Sequence, residues 1–163
     1  LIVFFMENTV YIETSIVSYL TARPTNDLLA SAWQRATCQW WEEKRGVFSL
    51  VTSSLVREEA ARGNPEAADR RLDALHGIPN LLLCDEVVDL ATLLLARRAL
   101  PEKAADDAMH VAYAAYHGVS YLLTWNCRHI DNPSKKPIIR RICSDGGFAC
   151  PEICTPLELL EVD

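Results

Sequence analysis

Short apolar runs alternate along this chain with longer stretches in which apolar residues recur at helical spacing. Residues 9–12 (Thr9-Val10-Tyr11-Ile12) read as a buried strand, followed by a helix that Thr14 or Ser15 can cap. Leu29, Trp33, Ala36 and Trp40 predict a helix over about 27–45, with Gly46 as its stop. Val47 to Val51 forms a second expected strand, and Thr52-Ser53-Ser54 offers caps for a helix that carries Glu59 and ends at Gly63. Pro65 suits the first turn of a helix running to about Leu75, terminated by Gly77. Leu81 to Cys84 reads as a third strand, with Asp85 capping a helix that contains Val88, Leu93, Leu94 and Leu95. Beyond the break at Pro101, a helix is expected from about Ala104 to His117, closed by Gly118, and then a fourth strand over Val119 to Leu123. The tail predicts a helix around Ile138 to Cys143 and a short final one, because Thr155-Pro156-Leu157-Glu158 combines a capping box with proline at the first helical position.

Strands alternating with helices predict an α/β fold, a three-layer α/β/α sandwich with a mostly parallel central sheet. At 163 residues the chain is long enough to bury a core without disulfides, and no repeat or linker divides it. We expect one domain over 9–163 and an N-terminal extension over 1–8, in which Met6 offers a natural start. Leu1 to Phe5 is too short, and lacks the basic flank, for a signal peptide. The longest apolar runs fall far below a membrane span, so no membrane partner is expected.

Six cysteines, at 38, 84, 127, 143, 150 and 154, include no Cys-x-x-Cys pair. They are expected as free thiols, consistent with a cytoplasmic protein. Cys127-x-His129 with Cys150 and Cys154 is the nearest approach to a zinc pattern, and its spacing fits no common structural site. A formal charge of −6 argues against broad electrostatic capture of nucleic acid. It leaves room for a nuclease, because clustered carboxylates contribute to that charge and bound cations reverse it locally. Lys135, Lys136, Arg140 and Arg141 form a basic segment that fits either a solvated face or a phosphate contact.

Glu13 and Asn126 fall just past the C-terminal ends of expected strands, the edge at which open α/β folds bind ligands. Glu59 and Asp107 ride helices expected to pack on the sheet. Together the four oxygen-bearing groups could hold a hard ion such as Mg2+ or Mn2+, which needs only a few protein oxygens and keeps several waters. Each also has a plainer reading: Glu13 as a cap, Glu59 as a surface charge beside Glu58, Asp107 as a helix-dipole partner and Asn126 as a turn former. Asp106 and Asp107 point about 100° apart on a helix, so both are not expected on one ion. His110, one turn after Asp107, could contact a ligand or phosphate, or be satisfied within the helix–sheet interface. Thr14, Ser15 and Thr124 could orient carboxylates or phosphate; His129, Trp125 and Arg128 flank Asn126. Trp40 and Trp41 cannot both face inward from one amphipathic helix, which makes one of them a candidate partner surface.

Tyr11-Ile12-Glu13-Thr14-Ser15, the segment Glu59-Ala60-Ala61-Arg62-Gly63, Asp107-Ala108-Met109-His110 and Leu122-Leu123-Thr124-Trp125-Asn126-Cys127-Arg128-His129 occur in an order that resembles PIN-domain proteins. The chain is similar in particular to the VapC-type toxins of bacterial toxin–antitoxin pairs, from residue 9 onward. The resemblance implies a PIN-like fold and a magnesium- or manganese-dependent endoribonuclease that leaves a 5′-phosphate and a 3′-hydroxyl. Glu13, Glu59, Asp107 and Asn126 would be its catalytic metal site, supported by Thr14, Ser15, His110, Thr124 and His129. It also implies a homodimer, an RNA substrate and a cognate antitoxin covering the active-site groove. Two positions depart from the family pattern: Glu13 stands where aspartate is usual, and Asn126 where aspartate is frequent. Both changes predict weaker metal binding. A PIN nuclease of RNA processing or DNA metabolism, and a catalytically decayed interaction module, are the alternative readings.

Overall fold

A computed structural model describes residues 8–162; the expected extension over 1–8, apart from Asn8, lies outside the described residues. Four strands form one wholly parallel sheet in the order β2-β1-β3-β4. They are β1 (Thr9–Ile12), β2 (Ser49–Val51), β3 (Tyr121–Leu123) and β4 (Glu152–Cys154). Every residue of β1 is buried, as expected of an inner parallel strand covered on both faces. The chain runs from β1 outward to β2 and then returns past β1 to β3, so the winding reverses between β1 and β3.

Among the described residues eight helices flank the sheet: α1 (Thr14–Thr21), α2 (Leu28–Glu43), α3 (Ser54–Ala60), α4 (Pro65–Ala74), α5 (Asp85–Ala96), α6 (Ala105–Tyr116), α7 (Lys136–Asp145) and α8 (Pro156–Leu159). α1 packs on α2, α3 and α4, while α5 packs on α6 and α7, and these groups provide the outer layers of the α/β/α arrangement. Side chains begin most of the helices. Asp27, Ser53 and Asn64 accept from backbone amides of α2, α3 and α4, and Thr155 with Glu158 forms the expected capping box of α8. Asp85 is the first residue of α5, whose cap position is Cys84. Among the described residues no helix is long and apolar enough to cross a membrane.

The expected strand over Leu81 to Cys84 does not form. The segment makes one parallel bridge, Asn80 beside Thr52, and then leaves the sheet with Leu82 76% and Leu83 57% exposed. The physical reason lies in β2: its chain turns at Ser53 into α3, so nothing continues past Thr52 for Leu82 and Leu83 to pair with. The fourth strand is instead β4, whose Ile153 and Cys154 pair with Leu122 and Leu123. Val47 belongs to a 3-10 turn over Arg45–Val47, so β2 begins only at Ser49.

Trp40 is fully buried, whereas Trp41 packs at the rim of the core beneath the Arg45 guanidinium, 4.1 Å from its ring centroid. α5 ends with Arg98 in a left-handed conformation, φ 59°, as Ala99 N donates to the Leu94 carbonyl at 2.9 Å. That turn normally takes glycine, and an arginine there costs about 1 kcal/mol.

Leu122 lies fully buried in the middle of the sheet, between Tyr11 and Ile153. Leu122→Ala is expected to lower unfolding stability by about 3 kcal/mol, combining lost burial with a cavity that flanking strands cannot close. Urea denaturation checks this, and a midpoint equal to that of the wild type would contradict it.

Candidate metal centre

The register of the parallel sheet builds the site. Ile12 of β1 sits beside Leu123 of β3, so the next residue of each strand, Glu13 and Thr124, emerges at the same edge. Glu13 is the N-cap of α1, and its Oε2 accepts from Ser15 N at 3.1 Å, from Thr124 Oγ1 at 2.8 Å and from Ser15 Oγ. Trp125 N donates to Ser15 Oγ at 2.8 Å, and Asn126 N to Thr124 Oγ1 at 2.9 Å. These bonds tie the ends of β1 and β3 together around one carboxylate, which is only 6% exposed. With Oε2 engaged by three donors, Oε1 is the oxygen turned toward His110, at 4.0 Å from its Nε2.

Glu59 reaches the same point from α3, and His110 from α6. Glu59 Oε1 accepts from Thr14 Oγ1 at 2.8 Å and lies 2.6 Å from His110 Nε2. Ligand atoms of Glu13, Glu59 and His110 all fall within 4.8 Å of one another, close enough to share one metal ion. Two carboxylates and an imidazole nitrogen make a donor set that could hold a divalent cation.

His110 is fully buried, and its other ring nitrogen, Nδ1, lies 2.8 Å from the Tyr11 hydroxyl. Tyr11 in turn bonds Ser53 Oγ at 2.7 Å. Burial disfavours the imidazolium, but the hydrogen bond to Glu59 and the charges of Glu13, Glu59 and Asp107 outweigh it and raise His110 above its ordinary 6.5. Burial likewise pushes the Glu59 carboxyl up. His110, the Thr14 hydroxyl and Arg62 together more than offset that and leave it below its ordinary 4.5. Burial raises the Tyr11 phenol well above its usual value, more than its Ser53 bond lowers it, so Tyr11 stays a neutral donor.

Asp107 and Asn126 sit apart from that trio. Asp107 Oδ2 lies 2.7 Å from His129 Nδ1, and Asn126 Oδ1 accepts from His129 N at 3.0 Å. His129 therefore joins two of the expected ligands into an outer node, while Glu13, Glu59, Thr14, Ser15, Thr124 and His110 make the inner one. Asp107 still acts on the inner node through its charge on His110. Trp125 is buried, stacked on Trp33 at 4.7 Å between centroids, and its Nε1 donates to Thr37 Oγ1 at 2.8 Å. It is a packing residue here.

Sequence reasoning overlooked Tyr11 and Ser53. Tyr11 had a readable signal: it stands two residues before Glu13 on the same face of a strand, and a buried phenol needs a partner. Ser53 had none beyond its capping role. Comparison with protein-family models, with curated proteins and with solved structures found no match.

The His110–Glu59 bond predicts a stability window in metal-free buffer. The raised His110 contributes fully below its ordinary 6.5 and loses that contribution as pH rises through its folded value. The lowered Glu59 contributes above its ordinary 4.5 and loses that contribution as pH falls through its folded value. Thermal midpoints in EDTA should therefore peak between the two, and His110→Gln should flatten the alkaline limb. Parallel losses in wild type and variant above the imidazole range would contradict the assignment.

Proposed function

We propose that the protein is a divalent-metal-dependent endoribonuclease, the toxin of a VapC-type toxin–antitoxin pair. The observation that supports the chemistry most strongly is the convergence of Glu13, Glu59 and His110 from three separate elements on the winding reversal of a parallel sheet. That edge is where open α/β folds place their ligands. The order of the four motifs supports the nuclease and toxin reading, with RNA as substrate, Mg2+ or Mn2+ as cofactor, a homodimer and an antitoxin as partner.

In this reading Glu13 Oε1 and Glu59 hold the ion, with Asp107 at the outer edge nearest His129. A bound divalent ion supplies charge neutralisation of the phosphodiester and a water acidic enough to attack it. The chain's own residues do the positioning. Ser15 and Thr124 fix the Glu13 carboxylate by occupying Oε2, so that Oε1 keeps one direction. Thr14 does the same for Glu59 Oε1. His110 Nε2 faces Glu59 Oε1 and holds a proton there in the metal-free protein, a charge that a bound cation would replace, while Tyr11 and Ser53 fix the plane of its ring. Asp107 orients His129 through Nδ1, and metal uptake that displaced the His110 proton would depend on pH.

Cleavage of a fluorogenic RNA panel in EDTA, Mg2+ and Mn2+ tests this directly. Metal-dependent cutting with 5′-phosphate ends is expected, abolished to background by Glu59→Gln and Glu13→Gln. Thr124→Val is expected to retain the fold and lose roughly 10- to 100-fold in activity. Cutting that survives both glutamate substitutions would refute the assigned centre.

Metal binding should also stabilise the wild type by about 2.7 kcal/mol at a hundredfold excess over the dissociation constant, seen as a thermal shift with Mn2+. A midpoint unmoved by either ion, together with no cutting, would favour a non-catalytic interaction module, in which His110 permanently supplies the internal cation.

A further inference from the structure

A cleft of about 850 Å³ lies beside the acidic centre. Its walls come from the C-terminal half of α5, from the loop after it, and from the segment that follows β3. Arg98, Arg128 and Lys135 line it together with His129, the residue whose Nδ1 holds Asp107. Glu102 is the one carboxylate in the lining, and Leu95, Leu100 and Pro101 give it an apolar floor.

Among the described residues, none of those three cations has an ion pair or a side-chain hydrogen bond. Their chain neighbours do: Arg97 meets Asp145 at 2.6 Å and Lys136 meets Asp131 at 2.6 Å. A smaller cleft of about 390 Å³ between α1 and α4 shows the opposite situation. There Arg23 pairs with Glu66 at 2.9 Å, Arg70 donates to the Thr21 carbonyl at 3.1 Å, and Arg71 to the Ala60 carbonyl at 2.9 Å. Those guanidinium groups already have partners on the protein, whereas the cations of the larger cleft are left for something outside it. Arg98 adds a second sign, because it occupies a left-handed position that glycine would take at lower cost.

Resting on the nuclease reading, we infer that this cleft binds the phosphodiester backbone of single-stranded RNA on one side of the scissile bond, with Arg98, Arg128 and Lys135 contacting phosphates. A strand lying there passes His129 and reaches Asp107 at the edge of the metal centre. Contacts to phosphate carry no base information, so the cleft supplies affinity and direction of the strand rather than choice of sequence. It also reconciles RNA binding with a net charge of −6, since the attraction is confined to one unpaired cluster.

The test compares Arg98→Gln/Arg128→Gln/Lys135→Gln with Arg23→Gln/Arg35→Gln/Arg45→Gln, which removes the same charge elsewhere. Anisotropy with a fluorescein-labelled single-stranded RNA pool is read in EDTA across a salt series. The cleft variant is expected to bind about 10-fold or more weaker, with its log–log salt slope shallower by roughly 2, at about 0.7 per lost phosphate contact. The control variant should stay within about threefold of wild type by the same salt-dependence argument. Arg98→Gly alone should raise the thermal midpoint while weakening RNA binding, a pairing that a purely structural arginine would not give. Equal losses in both triple variants, or wild-type affinity in the cleft variant, would overturn the inference. So would a cleft that binds a polyglutamate peptide but no RNA, which would make an acidic protein segment its occupant. Metal-dependent cutting that Glu59→Gln abolishes, alongside an unimpaired cleft variant, would leave the nuclease standing without the cleft. No cutting by the wild type would remove the nuclease reading itself.

Discussion

Two carboxylates brought together at a buried sheet edge need a positive charge between them. At the 4.8 Å that spans the Glu13, Glu59 and His110 ligand atoms, two like charges repel by roughly 3 kcal/mol at an effective dielectric constant of 20. The protein meets that constraint with the His110 imidazole, buried against Glu59 and held in plane by Tyr11 and Ser53. Everything else at the centre follows from keeping the pair apart in orientation while keeping it together in space. Glu13 is turned by three donors on one oxygen, and Glu59 by Thr14 and His110 on one of its own.

Such an arrangement would respond to a divalent ion, because the ion would compete with His110 for the same negative charge. With a proton in that role the site is a neutralised polar core; a cation there would leave His110 neutral. The energy involved is shared across β1, α3, α6 and the end of β3, so occupancy by a metal would be linked to fold stability. The parallel register makes this sharing possible, since Ile12 beside Leu123 fixes Glu13 beside Thr124 without help from any loop.

The cationic cleft stands in contrast to this inner network. Most arginines here are spent on carbonyls and carboxylates: Arg57 donates to Ile78 and Leu75 carbonyls, and Arg71 to those of Ala60 and Arg62. Arg98, Arg128 and Lys135 are not, and they collect at the one wall that continues from Asp107 and His129. Negative charge at the centre and positive charge beside it describe a surface suited to an anionic chain that needs a cation at one point only.

Much of the architecture was readable in the chain, because helix caps, glycine stops and apolar periodicity act locally. Glu13 after β1, Glu59 on α3, Asp107 and His110 on α6 and Asn126 after β3 could all be placed on their elements from those signals. The strand expected at Leu81 to Cys84 failed for a non-local reason, the early exit of β2 at Ser53, and β4 went unseen because its three residues become a strand only beside β3. Which groups share a point was likewise decided in three dimensions. Glu13, Glu59 and His110 meet, while Asp107 and Asn126 are drawn to His129, since hydrogen-bond geometry acts over distances of a few ångströms that sequence spacing does not encode. By itself the sequence determined the helices, three of the four strands and the residue types that chemistry needs; tertiary structure decided β4 and the partners, because partners come from segments as far apart as Glu13 and Thr124.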